Sequence, residues 1–321
     1  MKNLALWLAL MTVATWASAD EKAAFIAETA AETGIDAAQI EAWLGQAQRQ
    51  DGILAAISRP AEAKPWHEYR PIFLGEARIR AGREFLREHG ERLAAVEAET
   101  GVPARLIVAI IGIETNYGRN TGSHRVLDAL YTLGFHYPPR QAFFRRELAQ
   151  LFALGRAEQL DLAVLRGSYA GAMGWGQFMP SSYLAYARDG DGDGRRDLFG
   201  SLPDVFASIA NYFVAHDWRP GEPVAVPAEL AANAEPLSSE SLEPRSTVAA
   251  LVEAGYRHHG HELPGDCPAT AIALEGVDGP EHWLTFRNFY VITRYNRSRL
   301  YAMAVHQLAE AIGEQTETTA P

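Results

Sequence analysis

Cysteine is almost absent from this chain, since Cys267 is the only one among 321 residues. A single thiol cannot form a disulfide within the chain, and it stands far from the N-terminus, where a lipid-accepting cysteine would be. Basic residues are also scarce, with 29 Lys and Arg against 40 Asp and Glu and a formal net charge of -11. Because nucleic acids and anionic lipids are negatively charged, we expect no nucleic-acid partner and no attraction to a membrane surface.

Long apolar runs are missing as well, apart from one stretch over residues 4–16. It follows Lys2 and ends in the small residues 17–19, which is typical of a cleavable export signal. A membrane anchor is the alternative, but the stretch is shorter than the about 20 residues that span a bilayer. We therefore predict a signal peptide over residues 1–19, cleaved after Ala19, and a soluble periplasmic protein without stable membrane insertion.

Helical periodicity dominates the remaining sequence, in which 48% of all residues are hydrophobic and 21% are charged. We predict helices over 21–33, 37–49, 76–100, a segment from Pro103 through the apolar run 106–113, 140–165, 203–216 and 297–312. From Pro220 to Pro280 the chain is rich in Pro, Glu and Ser and includes strand-like pieces at Thr270–Leu274 and Trp283–Phe286. The predicted fold class is therefore mainly α (α+β).

Glu114 directly follows the apolar run 106–113, and Gly118 stands four residues farther on. At the C-terminal end of a buried helix, desolvation and the negative end of the helix dipole both raise the pKa of a carboxyl group. A carboxyl that is protonated near neutral pH can serve as a general acid. Gly118 can end the helix in a left-handed turn and open a cleft beside this acid.

Two structural roles are alternatives, since Glu114 can help to cap the helix end with Thr115 and Asn116 or pair with Arg119. A second segment, GAMGWGQFMPSSY over 171–183, favours the chemical role. Its glycines let the backbone approach a ligand closely, and Trp175 offers an apolar face for a sugar ring. A tight turn that enters a helix explains the same segment structurally.

Five unusual stretches stand in order between about 65 and 310. They are IGIETNYG at 111–118, GSYAGAMGWGQFMPSSY at 167–183, DGDGDGRRDLF at 189–199, SIANYF at 208–213 and NFYVITRYNRS at 288–298. With them the chain resembles the membrane-bound lytic murein transglycosylase B family in its soluble form. The resemblance implies a lysozyme-like catalytic core with an α-domain and a small β-containing domain. The missing N-terminal cysteine departs from the anchored family members and puts anchoring in the outer membrane in doubt, but not the chemistry.

The resemblance also implies domain boundaries along the chain. An N-terminal α-domain is expected over 20–100, completed by a C-terminal helix at about 297–312. The catalytic core is expected over 101–219 and contains an EF-hand-like loop at 189–204. A small α+β domain follows over 220–286, and residues 287–296 return to the catalytic groove.

The activity implied by the resemblance is that of a lytic transglycosylase acting on peptidoglycan glycan strands. Such an enzyme cleaves the MurNAc-GlcNAc β-1,4 bond and forms 1,6-anhydro-MurNAc. Glu114 is then the single general acid and base, and the substrate acetamido group replaces a second carboxylate. The residues expected to line the sugar groove are Ser168, Gln177, Tyr212, Tyr295 and Asn296. Of these, Tyr212 is expected to hydrogen-bond Glu114, and Gln177, Tyr295 and Asn296 to orient the acetamido group.

Two other functions remain open from the sequence. A lysozyme-type peptidoglycan hydrolase needs the same acid and groove but uses water as the nucleophile. A non-catalytic peptidoglycan-binding scaffold needs only the groove. A second carboxylate is also possible, and Asp128 and Glu147 are the nearest candidates downstream of Glu114. We expect no organic cofactor and a monomer.

Residues 189–200 contain most of an EF-hand calcium loop. Asp189, Asp191, Asp193 and Gly194 match its positions 1, 3, 5 and 6, and the Arg195 carbonyl matches position 7. Position 12 is Gly200 instead of a glutamate, so we expect Asp204 to supply the closing ligand, as the lengthened loop of the family implies. We predict a structural calcium site here, and a solvated Asp-Gly turn is the alternative.

Overall fold

The computed structural model describes residues 19–58, 64–237, 241–259 and 262–314. The predicted signal peptide lies outside these residues except for Ala19. The helices are α1 (19–33), α2 (Ala37–Gly45), α3 (Asp51–Ile57), α4 (Trp66–Phe73), α5 (Glu76–Glu88), α6 (Gly90–Thr100), α7 (Ala104–Thr115), α8 (Val126–His136), α9 (Gln141–Ala157), α10 (Pro180–Tyr186), α11 (Leu202–Ala215), α12 (Val248–Glu253), α13 (Arg287–Tyr295) and α14 (Arg299–Gly313). The strands are β1 (His124–Arg125), β2 (Arg166–Gly167), β3 (Ala225–Leu230), β4 (Ser246–Thr247), β5 (Tyr256–His258), β6 (Pro268–Glu275) and β7 (Pro280–Thr285).

The mainly α prediction is therefore confirmed, since helices predominate and the strands are short. Within the described residues, none of these helices combines the length and the apolar character that a bilayer crossing requires. The chain divides into two compact units. Of the described residues, unit 1 contains those up to 58, 122–173 and 178–185, and unit 2 contains 64–121, 174–177 and those from 186 onward. The domain boundaries expected from the sequence stay a prediction.

Unit 1 is built around α8, in which every residue from Val126 to Phe135 is buried. Aromatic side chains fill the space beside it, because Phe25 of α1 contacts the rings of Phe135 and Phe152. Trp43 of α2 stacks on Phe152 at a ring distance of 5.4 Å. Helix α8 was not predicted, because burial on all sides leaves no amphipathic pattern in its sequence.

The centre of unit 2 is α7, the apolar helix predicted after Pro103. Pro103 is its N-cap residue, and the run from Leu106 to Gly112 is fully buried. Its neighbours are α5, α6, α11 and α14. The single helix predicted over 76–100 is wrong, because the chain breaks at His89 into α5 and α6. The His89 ring packs against Phe206 of α11, with 5.8 Å between ring centroids, so a tertiary contact stabilises this break.

Unit 2 also contains a five-stranded antiparallel sheet with the order β4-β6-β7-β3-β5. One face of the sheet packs on α12 through Val226, Leu251 and Leu284. The predicted strand-like pieces fall in β6 and β7, but β3 and β5 were not predicted. Pro227 stands inside β3, opposite Trp283, and a proline within a strand normally argues against strand structure.

Candidate active site

The acid expected at the end of the apolar helix lies in the last turn of α7. The helix ends at Thr115, and Asn116 follows in the left-handed conformation with a φ of 51°. The Asn116 N–H donates to the Gly112 carbonyl, and the Tyr117 N–H donates to the Ile111 carbonyl. These bonds close the helix end, so the chain turns away two residues after Glu114.

The Glu114 carboxyl group is partly accessible to solvent but lies among protein groups. Its Oε1 atom accepts a hydrogen bond of 2.5 Å from the Tyr301 hydroxyl. Burial raises the pKa of Glu114 from its ordinary value of 4.5 to about 7, and the Tyr301 hydrogen bond opposes this change. Burial of a carboxyl group favours its neutral form because the charged form loses hydration.

Neither structural alternative for Glu114 describes its contacts. Among the described residues it forms no ion pair, so the pairing with Arg119 is wrong. The side chain that caps the helix end is that of Thr115, whose hydroxyl accepts from the Gly118 N–H and has the Ile111 and Trp175 carbonyls as the two acceptors within reach of its single proton. The Glu114 carboxyl is therefore not needed to cap the helix or to neutralise an arginine.

Two tyrosines of unit 2 face Glu114 from α13 and α14. Burial, followed by the charge of Glu114, raises the pKa values of Tyr295 and Tyr301 well above their ordinary range. Both phenols therefore stay protonated, and Tyr301 can donate to the carboxylate as well as to the acid form. The Tyr295 hydroxyl donates to the Gly176 carbonyl at 2.6 Å.

Tyr301 is a site residue that the sequence analysis missed. A buried tyrosine in an amphipathic helix is more often a core residue than a site residue, so no sequence signal distinguished it. The expectation that Tyr212 hydrogen-bonds Glu114 is wrong. A phenol has one proton, and that of Tyr212 goes to the Arg294 carbonyl at 2.6 Å. Tyr212 instead packs against Tyr295 with 4.8 Å between ring centroids.

The two amide side chains of the predicted groove keep polar atoms for a ligand. Gln177 donates through Nε2 to the carbonyls of Thr121 and Gly174, which leaves its Oε1 oxygen as an acceptor. Asn296 is partly exposed just after α13, and its side-chain amide has no partner within the described residues. The fifth predicted groove residue, Ser168, belongs to unit 1, where its hydroxyl accepts from the N–H groups of Ala170 and Ala172.

Trp175 does not offer the free ring face that a stacking sugar would need on the side of Gly118. A Cβ atom at Gly118 would lie 2.3 Å from the indole ring, so the ring packs directly on this glycine. The indole N–H donates to the Phe199 carbonyl at 3.1 Å. Trp175 therefore holds the turn that follows Glu114.

The two alternative carboxylates lie in unit 1 and are engaged in structural contacts. Asp128 is buried and accepts from the Arg125 guanidinium at 2.5 Å and from the Gln48 N–H at 2.8 Å. Glu147 is buried and accepts from the Ser181 N–H and hydroxyl. Ser181 occupies both Glu147 oxygens, and Asp128 is held in an ion pair with Arg125 through its Oδ1 atom, so both carboxylates serve structural contacts.

The predicted calcium loop brings three carboxylates together in unit 2. Ligand oxygens of Asp189, Asp191 and Asp204 lie within 4.8 Å of one another. Asp204 is buried, and burial raises its pKa, which a nearby cation would counteract. Asp193 and Arg195 follow on the same loop, where the Asp193 carboxylate accepts from the Arg195 N–H. The close group does not include these two residues.

Comparisons with known proteins identify relatives of this chain. The family model described as Transglycosylase SLT domain matches residues 17–310. The membrane-bound lytic murein transglycosylase B of Escherichia coli (strain K12) is 39% identical over 298 residues, which cover 90% of this chain and 81% of the relative.

Two solved structures extend the comparison to three dimensions. The catenated lytic transglycosylase SltB1 from Pseudomonas aeruginosa is 49% identical, with a TM-score of 0.86 over 91% of this chain and 96% of that chain. The Escherichia coli lytic transglycosylase Slt35 in complex with calcium is 39% identical, with a TM-score of 0.81 over 90% of this chain and 91% of that chain. The lysozyme-like fold class expected from the sequence is confirmed by these similarities.

Proposed function

We infer the chemistry of this protein from one premise, which is that the chain belongs to the transglycosylase SLT domain family. It is a peptidoglycan lytic transglycosylase, as its relatives are. We propose that Glu114 is its single general acid and base. The observation that carries this proposal is the partly accessible carboxyl whose pKa burial raises to about 7.

The first step is a proton transfer from Glu114 to the glycosidic oxygen that leaves C1 of a MurNAc residue. Near neutral pH about half of the Glu114 groups carry the proton that this step needs. As the C1–O bond breaks, the carbonyl of the 2-acetamido group stabilises C1, so no second carboxylate is required. The engagement of Asp128 and Glu147 in unit 1 supports this route.

The second step returns the proton to Glu114. Its carboxylate accepts the proton of the sugar C6 hydroxyl while that oxygen attacks C1, which closes the 1,6-anhydro ring and releases the acetamido carbonyl. Tyr301 holds the carboxylate through the 2.5 Å hydrogen bond during this change of role. No water is consumed, and Glu114 ends in its starting state.

In this proposal the side-chain amides of Gln177 and Asn296 bind the acetamido group. The Gln177 oxygen can accept from the acetamido N–H, and the unpartnered Asn296 amide can donate to the acetamido carbonyl. The packed rings of Tyr212 and Tyr295 support this side of the groove. Ser168 stays a predicted groove residue in unit 1.

The chemical form of the product distinguishes this reaction from hydrolysis. We expect purified enzyme to release fragments from sacculi whose MurNAc ends are 1,6-anhydro rings, one water lighter than reducing ends, as mass spectrometry can determine. The same digestion in ¹⁸O-labelled water should leave the new ends unlabelled. Labelled reducing ends would mean that the enzyme is a hydrolase, and binding to sacculi without release of fragments would mean a scaffold.

We further propose that Asp189, Asp191, Asp193, Arg195 and Asp204 bind a structural calcium ion. The close oxygens of Asp189, Asp191 and Asp204 support this, and Slt35 was solved in complex with calcium. Hard carboxylate and carbonyl oxygens on one loop are the ligands that Ca²⁺ prefers. When bound, the ion would offset the negative charge of the loop carboxylates and so stabilise the fold. It would play no part in the cleavage of the glycosidic bond.

Calcium is therefore expected to raise the stability of the protein. After chelator treatment, millimolar CaCl₂ should raise the Tm by about 5 °C, because a ligand that binds only the folded state stabilises it. Asp189→Asn should remove most of this increase, whereas Asp278→Asn on the exposed β6–β7 hairpin should retain it. An equal calcium response in all three proteins would contradict the site.

The predicted localisation follows from the substrate. Peptidoglycan lies in the periplasm of bacteria with an outer membrane, and the sequence predicts a signal peptide cleaved after Ala19. We propose that the mature enzyme acts there. N-terminal sequencing of the exported protein should begin at Asp20, and retention of residues 1–19 on a membrane-bound form would support the anchor instead.

A further inference from the structure

The turn after Glu114 has an unusual backbone. Asn116, Tyr117 and Gly118 all adopt left-handed conformations, with φ values of 51°, 59° and 79°. Glycine adopts this conformation easily and asparagine tolerates it, but it is uncommon for a residue as bulky as tyrosine. Such a conformation persists only where the surrounding structure enforces it, so the contacts of Tyr117 need an explanation.

The Tyr117 side chain fits against bare backbone of two helices. A Cβ atom at Gly112 of α7 would lie 2.7 to 2.9 Å from the phenol, and one at Gly82 of α5 would lie 2.4 Å from its hydroxyl. The hydroxyl donates to the Arg78 carbonyl at 2.9 Å. The Arg78 guanidinium in turn donates to the Gly112 carbonyl at 3.2 Å. Tyr117 therefore joins the end of α7 to α5.

The same contact reaches the helix that carries Tyr301. A Cβ atom at Gly82 would also lie 2.6 Å from Ile312 of α14. The Tyr117 hydroxyl thus lies where α5, α7 and α14 meet. Because Glu114 is on α7 and its hydrogen-bond donor is on α14, this meeting point connects the two partners of the 2.5 Å bond.

A second aromatic ring fixes the other side of the turn. Trp175 packs directly on Gly118, and the Thr115 hydroxyl lies 3.2 Å from the Trp175 carbonyl oxygen. The left-handed segment is thereby held between Tyr117, which faces α5, and Trp175, which follows Gly174 in the second motif.

We propose that Tyr117 is a positioning residue for the reaction, which fixes the left-handed end of α7 through Gly82, Gly112 and Arg78 and so places the Glu114 carboxyl opposite Tyr301. This inference rests on the proposed role of Glu114. It assigns Tyr117 no contact with the substrate. In this proposal the position of the Glu114 carboxyl depends on Tyr117, whose side chain faces the protein interior.

Loosening this turn should admit water to the Glu114 carboxyl and lower its pKa, because the raised value is due mainly to burial. The titratable groups that face Glu114 are Tyr301 from α14 and Tyr295 from α13. The charged groups around Tyr117 are the guanidinium groups of Arg78 and Arg119. Because the pKa values of both tyrosines are raised well above their ordinary range, a change of the activity profile near pH 7 reports on Glu114.

The experiment perturbs the Tyr117 contact from both sides in the full enzyme. Tyr117→Phe removes only the hydroxyl, and Gly112→Ala inserts a methyl group against the ring. Gly90→Ala is the matched control, since a Cβ at this helical glycine meets nothing within 4 Å. For each protein we would measure kcat and KM on soluble glycan strands from pH 4 to 9, together with Tm.

We expect kcat to fall about fivefold in Tyr117→Phe and at least about tenfold in Gly112→Ala, with KM nearly unchanged, since small misplacements of catalytic groups are costly. The basic limb of the kcat/KM profile should move about half a unit or more to lower pH in both. Gly90→Ala should match the wild type. A purely structural role would lower Tm without moving the profile.

The outcomes separate this inference from the proposed function. Active Tyr117→Phe and Gly112→Ala enzymes with the wild-type profile would refute the positioning role and leave the role of Glu114 intact. A wild-type enzyme without lytic activity, or a fully active Glu114→Gln protein, would refute the proposed function itself. If Gly112→Ala does not fold, Tyr117→Phe alone decides the question.

Discussion

Glu114→Gln is expected to lower the release of soluble fragments from sacculi by at least about 10³-fold while the fold stays intact. General acid or base catalysis by one group contributes about 10² to 10⁴-fold, and Glu114 serves in both roles. Glutamine has nearly the same shape and can still accept from Tyr301, but it has no proton to donate to the leaving oxygen. The loss should appear in kcat, with binding to sacculi retained.

The same substitution should make the protein more stable above pH 7. The pKa of Glu114 is about 7 in the folded protein against an ordinary value of 4.5, so ionisation is less favourable in the folded state. Below pH 4.5 Glu114 is protonated in both the folded and the unfolded protein, and its ionisation does not reduce stability. As pH rises from 4.5 to about 7, the free energy of unfolding falls by about 3 kcal/mol because the unfolded protein ionises first. Glutamine does not ionise, so urea unfolding should give a stability difference that grows between these pH values and then levels off.

Glu147→Gln is the matched control, since it removes a buried carboxyl that serves only to bind Ser181. It should lower Tm and leave kcat close to the wild-type value. Substantial fragment release by a folded Glu114→Gln protein, or an inactive and fully folded Glu147→Gln protein, would show that the acid has been assigned to the wrong residue.

Tyr301→Phe should change both the rate and the pH dependence. The hydroxyl of Tyr301 is the one side chain that hydrogen-bonds the Glu114 carboxyl among the described residues, and this bond lowers the pKa of Glu114. Without it the pKa should rise further above 7, so the basic limb of kcat/KM moves to higher pH. We expect kcat at pH 6 to fall about 10- to 100-fold, because the carboxyl is no longer held in place.

Tyr301→Phe should move the basic limb of kcat/KM to higher pH, whereas Tyr117→Phe should move it to lower pH. The two variants can therefore be told apart by the direction of the shift. Tyr256→Phe serves as the control, because Tyr256 is a buried tyrosine of the sheet whose hydroxyl accepts from the Leu237 N–H. It should cost stability without any shift of the profile. A Tyr301→Phe enzyme with an unchanged basic limb would mean that Tyr301 does not act on the Glu114 proton.

The position of the acid could be predicted because its cause is local. A helix with an apolar run of eight residues is expected to be buried, so a carboxyl at its end is expected to lose part of its hydration. The calcium loop is local in the same sense, because its ligand positions repeat every two residues over 189–193. The resemblance to a known family depended on these local stretches, and the comparisons confirmed it.

The partner of the acid could not be predicted, because Tyr301 lies 187 residues away and meets Glu114 only through the packing of α14 on α7. The same holds for Tyr212, whose single proton goes to Arg294 for reasons that only the tertiary structure contains. The break at His89, whose ring packs on Phe206 of α11, and the strand around Pro227 likewise depend on contacts between distant segments. The sequence by itself determined which carboxyl we propose as the acid, since the apolar run that buries its helix is local to the chain. Only the tertiary structure decided what holds that acid in place, since a hydrogen bond depends on where distant side chains meet.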